Sequence, residues 1–171
     1  MAKKLGALAI LFGLSTGAYA QTFSLPVADP FGFAVDSTNY VGGICFAVFD
    51  NDGDLDMMMG GYYGSINYHE NIGSATNPSL DAAQVNAFGL TNSSYYAFLT
   101  AADLDNDGDI DILAGEYYGA MNYFENTGTA TSPAFAAAQV NPFGITPGYV
   151  LSMPSFVDID DDGDYDLFVG E

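Results

Sequence analysis

Three nine-residue stretches place aspartate at alternate positions around a glycine. The middle copy is Asp103-Leu104-Asp105-Asn106-Asp107-Gly108-Asp109-Ile110-Asp111, and the last is Asp158-Ile159-Asp160-Asp161-Asp162-Gly163-Asp164-Tyr165-Asp166. The first is Val48-Phe49-Asp50-Asn51-Asp52-Gly53-Asp54-Leu55-Asp56, and successive copies start 55 residues apart. Five carboxylates packed into nine residues repel one another unless a cation sits among them, so the pattern predicts a hard-metal site. Aspartates at loop positions 1, 3 and 5 turn their carboxylates toward one centre. Glycine at position 6 (Gly53, Gly108, Gly163) permits the tight turn. Position 7 commonly offers its backbone carbonyl, so Asp109 and Asp164 are expected to contribute main chain, and aspartate at position 9 closes the shell. Calcium takes about six to eight oxygens in irregular geometry, whereas magnesium demands a stricter octahedron. An EF-hand would need a bidentate glutamate at position 12 between helices. Here that position holds Met59, Ala114 or Val169, each in a strand-like run. Zinc is disfavoured, because no Cys/His cluster exists.

The rest of the composition narrows the partners. The 171-residue chain has a formal net charge of -20, and its only Lys or Arg residues are Lys3 and Lys4. Fifteen of the 22 acids lie in the three loops, so the charge is concentrated and does not form a uniform coat. With no Lys or Arg after Lys4 the chain cannot neutralise phosphates, which excludes nucleic acid and disfavours anionic lipid surfaces. Residues 1–20 read as a secretory signal peptide, with the Lys pair, an apolar run from Leu5 to Leu14 and the exit Ala18-Tyr19-Ala20. That run is too short to span a bilayer, so no transmembrane span is expected in the mature chain. Cys45 is the single cysteine; it sits in the apolar run Ile44-Cys45-Phe46-Ala47-Val48 and allows no intramolecular disulfide. A hydrophobic content of 49% with 13 Phe and 12 Tyr predicts a packed core, not disorder.

The loops belong to a longer repeat. Residues 48–102 align on 103–157 with 26 identities in 55 and no gap. Shared landmarks include Tyr62-Tyr63-Gly64 with Tyr117-Tyr118-Gly119, Asn67-Tyr68 with Asn122-Tyr123, Glu70-Asn71 with Glu125-Asn126, and Phe88-Gly89 with Phe143-Gly144. Phe31-Gly32 stands in the same place before the first loop. The layout is a partial unit 21–47, units 48–102 and 103–157, and a truncated unit 158–171. In the middle unit, a strand enters the loop over Tyr95 to Ala101, and a second leaves it through Ile112-Leu113-Ala114. A third is expected over Ala120 to Glu125, and a weaker fourth within Phe135 to Val140, where Ala136 to Ala138 leaves a helical turn open. Four short antiparallel strands per unit predict an all-β chain built of propeller blades.

Other candidates read as structural. His69 occupies the slot of Phe124 and is expected to be an aromatic packing position. Glu70 and Glu125 read as turn residues. Tyr62-Tyr63 and Tyr117-Tyr118 offer either an aromatic face for sugars or turn packing between blades, with packing favoured. No nucleophile–His–acid set, P-loop or dinucleotide fingerprint is present, and the metal accounts for the carboxylate spacing, so no enzyme is expected.

Asp-x-Asp-x-Asp-Gly-Asp-x-Asp followed by an apolar strand ending in glycine, in repeats of this size, resembles the FG-GAP/VCBS repeat, across about residues 22 to 171. The resemblance implies a partial β-propeller of antiparallel four-stranded blades with Asp-rich calcium loops. It implies two to three Ca²⁺ ions held by side chains at positions 1, 3, 5 and 9 and the carbonyl at 7. The ligands by matching position are Asp103, Asp105, Asp107, Asp109 and Asp111 for one ion, and Asp158, Asp160, Asp162, Asp164 and Asp166 for another. Asp50, Asp52, Asp54 and Asp56 would hold a third with one ligand fewer, because Val48 replaces the opening aspartate. The implied function is a secreted, calcium-binding module for adhesion or ligand binding at a bacterial cell surface, with a protein or carbohydrate ligand. Two alternatives are a structural subunit of an extracellular assembly and an accessory module of a larger secreted enzyme. A closed propeller needs about four to eight blades. The stop at Glu171 is therefore read as a fragment of a longer protein, or as half-blades that complete each other between subunits.

Overall fold

A computed structural model describes Phe31 and residues 41–91 and 95–171 of the chain. The signal peptide read at 1–20 and most of the partial unit 21–47 lie outside the described residues. Among the described residues, ten strands form three antiparallel sheets. β1 (Val41–Ala47), β2 (Asp56–Gly61), β3 (Ile66–His69) and β4 (Gln84–Val85) make the first sheet, in the order β1-β2-β3-β4. β5 (Phe98–Ala102), β6 (Asp111–Gly115), β7 (Met121–Phe124) and β8 (Gln139–Val140) repeat it as β5-β6-β7-β8. β9 (Met153–Val157) and β10 (Asp166–Gly170) pair as a third, two-stranded sheet. Among the described residues 3-10 geometry occurs at Phe31 and in the turn Ala87–Gly89, and no helix is long and apolar enough to cross a membrane.

The second and third strands of each complete sheet are enclosed on both faces. β2, β3, β6 and β7 are buried at every position. A strand enclosed on both faces reads as a continuous apolar run, and Asp111-Ile112-Leu113-Ala114-Gly115 shows this. The first sheet packs on the second through Met58, Ile66 and Tyr68 against Leu99, Ile112, Ala114, Phe124 and Phe135. Leu113, Met121 and Tyr123 repeat that layer toward Phe156 and Leu167 of the third sheet. β4 and β8 are two-residue outer strands with exposed side chains, a length that blunts an open edge.

The fourth strand expected within Phe135 to Val140 is split in two. Phe135 bridges Asn126, and Gln139–Val140 pairs with Tyr123 and Asn122. Ala136 to Ala138 between them form no helical turn. The sheets also cut the chain at a different phase from the sequence units. Each Asp-rich stretch joins the first strand of a sheet to its second, so the unit 48–102 ends inside the second sheet.

Adjacent sheets are laced by main chain. Gly43 N donates to the Ala97 carbonyl (2.8 Å), Ser152 N to Glu116 (3.1 Å), and Phe135 N to Phe88 (2.8 Å). The carbonyl of Phe31, before β1, is bound likewise and accepts from Leu80 N (2.9 Å). Phe31, Phe88 and Phe143 share a left-handed backbone, with φ of 58°, 57° and 56°.

Candidate metal centres

Each aspartate loop is a hairpin connection whose bend is set by two left-handed residues. Asn51, Asn106 and Asp161 all have φ of 61°, and Gly53, Gly108 and Gly163 have φ of 96°, 93° and 95°. The glycine thus fills the role expected of it, and position 4 takes a residue type that tolerates this region. Local hydrogen bonds then fold the carboxylates inward. In the middle loop, Asp103 accepts from Asp107 N (3.1 Å) and Gly108 N (3.0 Å), and Asp107 accepts from Asp109 N (2.9 Å). The last loop repeats this: Asp158 accepts from Asp162 N (3.2 Å) and Gly163 N (3.0 Å), and Asp162 from Asp164 N (2.9 Å).

The result is two carboxylate triads. Asp103, Asp105 and Asp107 each place an oxygen within 4.8 Å of the others, as do Asp158, Asp160 and Asp162. The first loop keeps the later bonds, Asp52 N to Asp50 (3.1 Å) and Asp54 N to Asp52 (3.0 Å). With Val48 in place of the opening aspartate it forms no such triad among the described residues. Its position 7 differs too. Asp54 is buried, and its Oδ1 has no hydrogen-bond partner. Burial, and then the charge of Asp52, push that carboxyl above the usual range, and burial does the same at Asp109. A buried, unpartnered carboxylate oxygen and two all-oxygen triads in a region without Lys or Arg form a donor set that fits a hard divalent cation.

Position 9 also accepts hydrogen bonds within its own sheet. Asp111 is enclosed, and its Oδ2 accepts from Leu104 N (3.2 Å) and the Tyr123 hydroxyl (2.9 Å), while Oδ1 accepts from Asn126 N (2.7 Å). Asp56 is held the same way by Phe49 N (3.2 Å) and Asn71 N (2.7 Å). In the last loop, Asp166 accepts from Ile159 N (3.2 Å). Asn126 continues the chain by accepting from Gly128 N (3.1 Å) and Ala134 N (3.0 Å), as Asn71 does from Gly73 N (3.1 Å) and Ser79 N (2.9 Å). Position 9 therefore ties the start of the loop to the far connection of the same sheet, with the neighbouring asparagine and tyrosine as partners. Asn71, Asn126, Tyr68 and Tyr123 had a signal in the sequence: they recur at the repeat spacing although they are polar or amphipathic. His69 is buried in β3, with Nδ1 2.9 Å from the Asp81 carbonyl oxygen.

Burial raises the pKa of Asp56 and Asp111, although the peptide N–H groups pull it down. Burial also raises Tyr68 and Tyr123, which keeps each phenol a donor. A carboxyl whose folded pKa lies above its unfolded value binds its proton more tightly when folded. Its contribution is present at low pH and is lost as pH rises through the folded pKa. Metal-stripped protein in metal-free buffer is therefore expected to melt higher at about pH 5 than at about pH 7. Thermal melts by circular dichroism check this, and a melting temperature that falls on acidification would contradict the assignment.

A family model for the FG-GAP-like repeat matches residues 49–114 and again 103–169. Each match runs from one aspartate loop through the strand that follows the next. No curated protein matches the chain. Two successive matches, each laid over the observed loop–strand geometry, establish that the chain belongs to the FG-GAP-like repeat family, whose repeats are blades of β-propellers.

Proposed function

We propose that this chain is a secreted repeat module in which Ca²⁺ sets the loops of each blade, leaving the blade surfaces free for adhesion or ligand binding at a bacterial cell surface. The observation that carries the reading is the convergence of three carboxylates in each of two loops. Asp103, Asp105 and Asp107 would hold one ion and Asp158, Asp160 and Asp162 a second. Asp50, Asp52 and Asp54 would hold a weaker third. The ion supplies positive charge where the chain has none. The proposal includes no catalytic step, because the cation accounts for the clustered acids.

Binding to the folded chain alone stabilises it by linkage, about 2.7 kcal/mol per site when free ion is at about 100 times Kd. Extracellular calcium modules have Kd on the order of 10⁻⁴ to 10⁻³ M, so millimolar calcium is the working range. Titration calorimetry of metal-stripped protein is expected to show two sites and a weaker third, and Asp105→Asn with Asp160→Asn is expected to remove the two. Melts with Ca²⁺, with Mg²⁺ and with chelator complete the test. A melting temperature indifferent to calcium, or raised equally by equimolar magnesium, would sink the calcium reading.

A further inference from the structure

The ends of the strands away from the aspartate loops carry a cluster of tyrosines. Tyr62 and Tyr63 lie in the turn after β2, Tyr117 and Tyr118 in the turn after β6, and Tyr95 and Tyr96 on the approach to β5. Main-chain bonds lace the approach between the two turns: Tyr96 N donates to the Tyr62 carbonyl (3.0 Å) and Tyr117 N to that of Tyr95 (2.8 Å). Tyr96 is held at φ 53°, a costly backbone for an aromatic residue. Five of the six rings alone line an open depression of about 300 Å³: Tyr62, Tyr95, Tyr96, Tyr117 and Tyr118.

Packing between blades explains the half-buried Tyr62 and Tyr96. It does not explain Tyr63 and Tyr118, which are 63% and 62% exposed. The ring planes decide which ligand the depression suits. Tyr62 stands at 74° to Tyr96 and 72° to Tyr95, Tyr95 at 77° to Tyr118, and Tyr117 at 90° to Tyr118, while Tyr96 and Tyr117 stack at 30°. Rings set as walls enclose a compact group; a sugar stacks on a flat, exposed platform. Aromatic faces carry negative charge density that attracts cations, most readily weakly hydrated ones. The chain supplies no cation of its own beyond Lys4, and its net charge of -20 concentrates cations and repels anions.

We propose that this tyrosine cage binds a quaternary ammonium group of an external ligand through cation–π contacts. It gives a ligand class to the binding module inferred above, but it rests on the rings and not on calcium. Such a group occurs on soluble cholines, on methylated lysine and on choline lipids.

The experiment uses the full chain with calcium, and tetramethylammonium as the probe, followed by NMR of the tyrosine rings. Saturable shifts are expected for these rings, with 3,3-dimethylbutanol, a neutral ligand carrying the carbon isostere of the trimethylammonium group, binding about ten-fold more weakly than choline. Tyr118→Phe keeps the ring face and should retain binding, whereas Tyr118→Leu should weaken it several-fold at unchanged melting temperature. Sedimentation with phosphatidylcholine vesicles would place the group on a lipid. Binding of free choline without sedimentation would place it on a soluble or peptide ligand. Equal affinity for the neutral isostere, no effect of Tyr118→Leu, or shifts given by neutral oligosaccharides and not by tetramethylammonium would overturn the proposal. Calorimetric calcium binding in the same samples shows separately whether the metal reading stands.

Discussion

Gly60→Ala and Gly115→Ala are each expected to abolish cooperative folding or to lower the melting temperature sharply, while Gly170→Ala leaves it unchanged or slightly raised. The three glycines recur 55 residues apart, next to last in β2 and last in β6 and β10. A Cβ on Gly60 would overlap the Ala97 carbonyl, and one on Gly115 would overlap the Ser152 carbonyl. Both obstacles are main chain of the next sheet, so no rotamer change relieves them. At Gly170 the nearest atom to such a Cβ is 3.8 Å away, an ordinary contact. Overpacking of a well-filled site costs about 1–3 kcal/mol and sometimes more, and a clash with immobile backbone belongs at the upper end. Where the backbone is unstrained and space exists, replacing a strand glycine by alanine gains roughly 0.5–1 kcal/mol. Chemical denaturation of the three variants checks the ordering, and equal losses at all three positions would show that close approach between sheets is not the cause.

Asp111→Ala should destabilise the protein by about 3 kcal/mol or more even in saturating calcium, since each hydrogen bond to a charged group is worth roughly 1.5–3 kcal/mol and its partners are left unsatisfied. The loss has two sources: Asn126 N becomes a buried donor and Leu104 N a half-buried one without an acceptor, and the Tyr123 hydroxyl loses its partner. Asp105→Asn offers the contrast, because Asp105 is exposed and belongs to the triad. That substitution should lower calcium affinity while leaving the metal-free melt nearly unchanged. Denaturation with and without calcium separates the two. If Asp111→Ala loses stability only in the presence of calcium, position 9 serves the ion and not the fold.

Much of this was legible from the chain alone. Ile112-Leu113-Ala114 announced the strand that leaves the loop, and the recurrence of Gly53, Gly108 and Gly163 announced the bend. What escaped was set by distant partners. Alternate spacing treats Asp107 and Asp111 alike, yet Asp111 also accepts hydrogen bonds from the Tyr123 hydroxyl and Asn126 N, which arrive from residues far along the chain. The break in the fourth strand escaped for a related reason: Phe135 is drawn to bridge Asn126 while Gln139 pairs with Tyr123. The tyrosine cluster was only half visible. Tyr62-Tyr63 and Tyr117-Tyr118 stand out by recurrence, but Tyr95 and Tyr96 correspond to Val150 and Leu151 in the next copy and carry no repeat signal. The phase of the unit also had to come from hydrogen bonding, since a repeat can be cut anywhere along its period.

The bond from Phe135 N to the Phe88 carbonyl, and its counterpart from Leu80 N to Phe31, give the array a direction. The outer part of each blade closes on a carbonyl contributed by chain that precedes it. A polypeptide made from its N-terminus always has that carbonyl ready before the amide that needs it. Assembly can then advance like a ratchet, each finished blade acting as the template for the next.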